Sequence, residues 1–291
     1  MNSIKISHTA AYIAVKFYGL TKDPKLKPLF SEDILNFYEQ MVRFLPRHLS
    51  WYHDSLDAPF WRKFFIFSEE LLLPGDLMHI ISRKYYMNRM LQKALNEGYE
   101  QLVVLGAGFD HQAAVTSKQG IPSFELDMEV MINQKNRFYD ENGYTNENLH
   151  LQSVNLTRQS LSESLLSFPE FDKKRRTIFL AEGFFDYLSL TPGERVLTDI
   201  KALNPNNRLI STFFSLDELN IFHRFVFTSG VSLVGESLKF KLIKEEFVDF
   251  LEEIGFSVSE EITKADIKRD FLKPNKIKLP VLNGFYLFSF D

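Results

Sequence analysis

A glycine-rich turn, with an aspartate twenty-one residues after its first glycine, is the arrangement in this chain best suited to hold a ligand. Residues 105–110 read Leu-Gly-Ala-Gly-Phe-Asp, so Gly106 and Gly108 flank Ala107. Glycine has no Cβ and lets the backbone approach a ligand closely, and the first N–H groups of a following helix have no intrahelical partner. Asp127 ends the next predicted strand, where a carboxylate can accept hydrogen bonds from a ribose diol. These residues indicate a nucleoside site.

Two cofactors that contain a nucleoside fit this pattern. A dinucleotide site has the pattern G-x-G-x-x-G, in which the third glycine lets the helix pack tightly beside a pyrophosphate. His111 stands at that third position. S-adenosylmethionine has no phosphate and needs only the close turn and the acid. The sequence therefore favours S-adenosylmethionine and leaves a nicotinamide-dependent oxidoreductase as the alternative.

The turn lies within an alternating pattern of strands and helices. Short apolar runs separated by helical periodicity predict an α/β fold with a doubly wound, mostly parallel sheet of seven strands. The last two strands are expected to form an antiparallel hairpin at the sheet edge. The predicted strands are 102–105, 123–126, 150–154, 177–180, 208–213, 256–258 and 284–290.

The chain before the first strand has helical periodicity throughout. We therefore expect residues 1–97 to form a helical lid over a binding core at 98–291, with the Phe and Leu spacing of 214–242 adding a capping helix. The 29 phenylalanines are expected to fill the core, and the aromatics around Trp51 and Trp61 to pack between helices.

Composition limits the partners and the chemistry. A net charge of -4 argues against a general nucleic-acid binder, and the basic run 173–176 is expected to be a solvated loop. The chain has no cysteine, so thiolate sites are excluded, and the histidines lack a metal-ligand spacing, so no metal is expected. Neither a signal peptide nor an apolar run of membrane-spanning length is found, so no membrane partner and a cytoplasmic location are expected.

Three blocks of sequence resemble the leucine carboxyl methyltransferase family. They are Gln101–Asp110, Phe124–Asp127 and Leu180–Leu188, they occur in the family's order, and the resemblance extends from about Leu77 to Ile210. It implies a Rossmann-like methyltransferase fold that binds S-adenosylmethionine.

The resemblance also implies a role for individual residues around the donor. The expected contacts are Arg83 with the donor's carboxylate, Gly106 beneath the donor with Ala107 and Gly108 in the same turn, Asp127 with the ribose, Asn155 and Leu156 beside the adenine, and Glu182 near the methionine part and the acceptor. Many family members have an Asp-Leu pair where this chain has Asn155-Leu156, and Thr-Arg where it has His111-Gln112. Asp110 is expected to cap the helix after the turn rather than to contact the ligand.

The reaction that the resemblance implies is an in-line displacement, which depends mainly on alignment. A carboxylate acceptor, with a pKa near 4, is already ionised at neutral pH, whereas a phenol would need a base. No side chain stands out as that base, and no catalytic residue is assigned. We therefore expect an O-methyltransferase for a small-molecule, polyketide-like carboxylate.

Two alternatives remain open at this stage. A protein C-terminal carboxylate could be the acceptor instead. The chain could also be a non-catalytic S-adenosylmethionine-binding protein, which the departures at His111, Gln112 and Asn155 keep open. The sequence further predicts that Gly106→Val weakens donor binding without unfolding the chain, and it gives no indication of the oligomeric state.

Overall fold

A computed structural model describes residues 7–233, 238–239 and 242–291. The helices are α1 (His8–Thr21), α2 (Glu32–Phe44), α3 (Arg47–Ser50), α4 (Pro59–Leu72), α5 (Asp76–Asn96), α6 (Gln112–Ser117), α7 (Glu129–Asn142), α8 (Leu161–Leu166), α9 (Leu190–Leu203), α10 (Ile221–Leu233), α11 (Lys244–Ile254) and α12 (Lys264–Asp266). The strands are β1 (Gln101–Leu105), β2 (Ser123–Asp127), β3 (Leu149–Ser153), β4 (Thr177–Ala181), β5 (Arg208–Phe214), β6 (Val258–Ile262) and β7 (Phe285–Phe290).

All seven strands belong to one sheet, in the order β3-β2-β1-β4-β5-β7-β6. The first five strands are parallel, and β7 pairs antiparallel with both β5 and β6. This confirms the predicted doubly wound, mostly parallel sheet. The order reverses at β1 and β4, which is where ligands bind in such sheets, beyond the carboxyl ends of the strands.

Six of the predicted strands are correct to within one residue at each end, and one was misplaced by more than that. The strand assigned to 256–258 begins only at Val258 and continues to Ile262. Gly255 ends α11 at a φ of 102°, and the Phe256 N–H donates back to the Leu251 carbonyl. Phe256 therefore belongs to the helix C-terminal turn, where its apolar side chain is buried without lying on a strand.

Side chains of the central strands alternate between two apolar layers, as the period of a strand requires. Leu102 and Val104 of β1 lie in the layer formed with α1, α2 and α5. Val103 and Leu105 lie in the layer formed with α8, α9 and α11. The helices that precede β1 therefore share a core with the sheet.

Four of the five aromatic residues of α4 do not pack between helices, contrary to the prediction from sequence. Trp51, which follows α3, and Phe60, Trp61, Phe64 and Phe67 of α4 are exposed. The side of α4 that faces the protein carries Phe65, which packs against the core, and Glu69, which pairs with the buried Lys16. The other four aromatic side chains lie on the opposite side and face outward.

The region 214–242 contains a helix, as expected, but only part of the region can be described. Phe214 ends β5, and α10 spans Ile221–Leu233. Residues 234–237 and 240–241 lie outside the described residues. Of the helices within the described ranges, none combines the length and apolarity needed to cross a lipid bilayer.

A fully buried ion pair fastens α7 to the sheet beneath the glycine turn. The Lys135 ammonium lies 2.7 Å from the Glu125 carboxylate and donates to the Asp110 carbonyl at 2.9 Å. The Tyr139 hydroxyl donates to the same carboxylate at 2.9 Å. Burial raises the pKa of Glu125, and Lys135 opposes that rise. The pair therefore positions both β2 and the end of the turn.

We predict that Lys135→Met lowers the free energy of unfolding by about 3–5 kcal/mol at neutral pH, because it leaves a buried carboxylate without its cation. Without Lys135 the pKa of Glu125 rises further above its unfolded value. The difference in unfolding free energy between the variant and the parent should therefore become smaller as the pH falls towards 4. Urea unfolding across this pH range measures both effects. The double variant Glu125→Gln/Lys135→Met should lose less than the single variant; an equal or larger loss would contradict this account.

Candidate functional site

The glycine turn lies at the carboxyl end of β1 and is fastened to β2. The Gly106 N–H donates to the Leu126 carbonyl at 2.8 Å. Gly106 and Gly108 have φ values of 60° and 46°, in the left-handed region that glycine adopts without strain. A Cβ on Gly106 would lie 2.8 Å from Cδ2 of Phe184. The chain's own packing therefore requires glycine at 106.

This packing corrects one expectation from sequence. Gly106→Val was expected to affect the ligand alone, but a side chain there would strain the backbone and strike the Phe184 ring. Phe184 lies in the segment after β4, two residues beyond Glu182. The turn and that segment are therefore packed directly against each other.

Asp127 is brought to the turn, as its spacing suggested. Its Oδ2 accepts a hydrogen bond from the Gly108 N–H at 2.7 Å, and its Oδ1 accepts one from the Met128 N–H at 2.6 Å. Met128, not Asp127, is the N-cap of α7. Both oxygens of Asp127 therefore contact the backbone beside the turn.

The loop after β3 lies beside Asp127. The Val154 N–H donates to the Asp127 carbonyl at 2.8 Å. The Asn155 side-chain oxygen accepts from the N–H and the hydroxyl of Thr157, which makes a local turn. Leu156 is buried in the apolar layer of α8 and α9. Asn155 therefore forms a local turn. Asn155 and Leu156 both follow β3, the strand that pairs with β2.

Arg83 and Glu182, predicted separately, meet in a buried cluster. Arg83 Nε lies 2.8 Å from one oxygen of Glu182, and Lys84 Nζ lies 2.9 Å from the other. Lys84 also lies 2.5 Å from Asp110 Oδ2. The two cations come from α5, and the two carboxylates follow β1 and β4. Lys84 thus joins the ends of two central strands.

Sequence reasoning missed Lys84, although a signal for it exists. The apolar stripe of α5 runs through Leu77, Ile80, Met87 and Leu91, and Lys84 occupies the one remaining position of that spacing. A lysine on a buried stripe needs an internal anion. Asp110, which was expected only to cap a helix, does accept from the Gln112 N–H at 2.7 Å, and its other oxygen is the anion for Lys84.

The electrostatics of the cluster keep Asp110 and Lys84 ionised. Burial alone would raise the pKa of Asp110, but the Lys84 ammonium holds it well below its usual range. Burial likewise opposes the charge on Lys84, yet Asp110 and Glu182 raise its pKa above the usual value. His111 is buried against the Tyr38 hydroxyl, and burial lowers its pKa to about 4. His111 is therefore neutral at neutral pH.

Asp186 is a second group that the sequence did not single out. It follows Glu182 in the segment after β4, and burial raises its pKa to about 7, against the opposing effect of the Arg83 charge. A carboxyl group that titrates near neutrality beside a cluster of charges is a recognised feature of functional sites.

Helix α1 covers the turn from the opposite side. The Cβ of Ala10 lies 3.5 Å from where a Cβ on Gly108 would stand. Six residues further along α1, the Lys16 ammonium is fully buried and pairs with Asp76 at 2.9 Å and with Glu69. These ion pairs fix α1 to α4 and to the start of α5.

Comparison with known proteins assigns the chain to a family. The sequence profile described as leucine carboxyl methyltransferase matches residues 18–201, which is more than half of the chain. The chain belongs to the leucine carboxyl methyltransferase family. The resemblance seen in the three sequence blocks is therefore confirmed.

Individual relatives agree with this assignment. A candidate S-adenosyl-L-methionine-dependent methyltransferase of Mycolicibacterium paratuberculosis is 30% identical over 125 residues, which are 42% of this chain and 40% of that protein. The chain thus matches less than half the length of this relative.

Solved structures show the same fold at low sequence identity. A candidate methyltransferase from Thermobifida fusca YX has a TM-score of 0.55 and 15% identity over 79% of this chain and 86% of the other. A DUF574 family protein from Streptomyces avermitilis has a TM-score of 0.54 and 12% identity over 74% and 84%. The family member described here therefore has the Rossmann-like fold of methyltransferases.

We predict that Gly106→Ala destabilises the chain more than Gly183→Ala does. Both glycines have a φ of 60°, but nothing lies within 4 Å of a Cβ at Gly183, so that variant reports the backbone strain alone, about 1–2 kcal/mol. Urea unfolding gives both losses. In a Phe184→Ala background the excess loss at Gly106 should disappear; equal losses in the parent chain would show that Phe184 does not pack there.

We predict that Asp186→Asn flattens the pH dependence of stability. The folded pKa of about 7 lies above the unfolded value near 4. The native state therefore binds the extra proton between these values, and the free energy of unfolding falls as the pH rises through them. The variant should be more stable than the parent above pH ~7 and similar below pH ~4. The exposed Asp249 supplies the control Asp249→Asn; parallel profiles for all three chains would contradict the assignment.

Proposed function

We propose that this chain binds S-adenosylmethionine at the carboxyl ends of β1, β2 and β4 and transfers its methyl group to a carboxylate of a small molecule. The observation that carries the proposal is the hydrogen bond between Asp127 and the Gly108 N–H. It brings the acid expected for the ribose to the turn expected beneath the donor. Membership of the leucine carboxyl methyltransferase family supports the same cofactor.

The charges around the turn suit this donor. Two cations, Arg83 and Lys84, stand beside three anions, Asp110, Glu182 and Asp127. The donor carries a carboxylate, an ammonium and a sulfonium, and so has one net positive charge. The carboxylates of the site suit the ammonium and sulfonium of the donor, whereas a pyrophosphate would add further negative charge to the cluster.

Each predicted residue has a place in this proposal. Arg83 would bind the donor's carboxylate, and Asp127 would accept from the ribose hydroxyls. The Nε of Arg83, although close to Glu182, makes no well-directed hydrogen bond. The buried guanidinium of Arg83 therefore retains a donor for an anion. Asn155 and Leu156 would flank the adenine, and Glu182 would lie near the methionine part. Gly106, Ala107 and Gly108 would lie beneath the nucleoside.

For methyl transfer the chain mainly has to align the donor with the acceptor. An oxygen of the acceptor carboxylate forms a bond to the methyl carbon as the carbon–sulfur bond breaks, and the bonding pair stays on sulfur. No proton moves, because the acceptor is ionised at neutral pH. The side chains near the turn fit a reaction of this kind: His111 is neutral, and burial raises the pKa of Tyr38 far above neutrality.

The helices before β1 form the cover in this proposal. Residues 1–97 act as a lid on the core at 98–291, and α10 closes the other side of the entrance. The contact of Ala10 with the turn supports such a role for α1. A protein C-terminal carboxylate is the alternative acceptor, and a wider opening between these helices would favour it.

We predict that isothermal titration shows binding of S-adenosylmethionine and S-adenosylhomocysteine but not of NAD. Asp127→Asn should weaken both sulfur ligands roughly ten- to hundredfold, because a charge-assisted hydrogen bond contributes about 1.5–3 kcal/mol. The exposed Asp140 supplies the control Asp140→Asn, which should leave binding unchanged. Binding of NAD and of neither sulfur ligand would replace this proposal with an oxidoreductase.

We predict that a radiolabelled methyl donor gives a base-labile product, which releases labelled methanol in alkali as a methyl ester does. The rate constant of transfer should be flat between pH ~6 and ~8, since a carboxylate acceptor stays ionised there. The Asp186→Asn variant should retain the rate constant of transfer. A rate that rises with pH and is lost in Asp186→Asn would identify a phenol acceptor with Asp186 as its base. Tight donor binding with no transfer to any of a broad acid panel would support a non-catalytic protein.

A further inference from the structure

Helix α4 contacts the protein through Phe65 and Ile66, which pack against the core, and through several polar residues. Glu69 accepts from the Tyr12 hydroxyl at 3.1 Å and pairs with the buried Lys16. Glu70 accepts from the Gly75 N–H at 2.9 Å, and Arg62 donates to a backbone carbonyl at 3.1 Å. No residue of α4 is buried. An ordinary surface helix turns its apolar stripe to the core, whereas α4 turns Phe65 and Ile66 inward and leaves a larger set of apolar side chains exposed.

The outward side of α4 is a continuous apolar stripe. Its members are Phe60, Phe64, Phe67 and Leu71, which are 71%, 57%, 66% and 69% exposed. Trp61 and Leu72 flank them and are also exposed. Lys63 is the only charged residue among the exposed positions of α4. We call these seven residues the α4 face.

The spacing of the stripe matches a helical partner. Its members are four, three and four residues apart, which is the seam of two helices that pack knobs into holes. The fourteen residues of α4 give a seam about 21 Å long. A second copy of α4 presents the same seam, and a two-fold axis brings identical surfaces together.

The exposed area is of the size that such a contact needs. At about 200 Å² for each aromatic side chain, the exposed parts of the four aromatics on α4 amount to roughly 500 Å². Leu71 and Leu72 extend this area further. The total approaches the ~800 Å² that each partner buries in a stable interface and exceeds the usual apolar patch of a monomer.

We infer that the α4 face is the interface of a homodimer, in which α4 of one chain packs against α4 of its partner about a two-fold axis. The contact buries the aromatic stripe of both chains. It also holds in place the helix whose Glu69 fixes Lys16 of α1. The inference does not depend on the proposed reaction.

Sedimentation equilibrium over a wide range of protein concentration tests the inference. The unaltered chain should sediment with twice its 34.0 kDa mass. Phe64→Glu and Phe67→Glu should each sediment as monomers, since two like charges would meet at the seam. Phe222→Glu, at an exposed phenylalanine of α10, is the matched control and should remain dimeric. Circular dichroism establishes that each variant is folded.

Chemical cross-linking gives a second readout that a loss of stability does not affect. The chain has no cysteine, so Phe64→Cys introduces a single thiol. A short bismaleimide should convert this variant into a covalent dimer in high yield, and Phe222→Cys into little or none. Equal yields from the two variants would overturn the inference.

Two further outcomes would also overturn it. One is a parent chain that is monomeric at every concentration. The other is a monomer that sediments with phosphatidylcholine and phosphatidylglycerol vesicles and loses this property in Phe64→Glu. That result would assign the α4 face to a lipid surface instead.

Discussion

The buried contact between Lys84 and the two carboxylates Asp110 and Glu182 is the constraint on which the site depends. Asp110 and Glu182 follow two adjacent central strands, and burying a carboxylate is costly unless a cation pairs with it. Because Lys84 and Arg83 lie on α5, the helical segment and the sheet must come together for the carboxylates to be paired. The same contacts place Arg83, Glu182 and the glycine turn within one small volume at the carboxyl edge.

Much of the arrangement follows from the sequence. The apolar runs, the glycine turn and the spacing to Asp127 predicted the sheet and the meeting of turn and acid. The cluster around Lys84 could not be predicted in the same way, because pairing between α5 and two strand ends depends on contacts distant in sequence. The exposed side of α4 was missed for a related reason. Periodicity shows that a helix has an apolar stripe, but the buried Lys16 decides which side faces inward.

Gly106 and Gly108 lie beneath two segments of the chain that cover the turn. Phe184 takes the space beside Gly106, and Ala10 lies close to Gly108. The absence of a side chain at Gly106 therefore lets the segment after β4 pack against the turn, and α1 covers the turn at Gly108. A nucleoside at the turn would lie in contact with both, so its binding and the positions of these covers are expected to depend on each other.

A crystal structure with S-adenosylhomocysteine tests the central claim most directly. The account predicts that both ribose hydroxyls lie within hydrogen-bonding distance of the Asp127 carboxylate, with the adenine beside Asn155 and Leu156. A nucleoside bound elsewhere on the chain, with no contact between its ribose and Asp127, would contradict it.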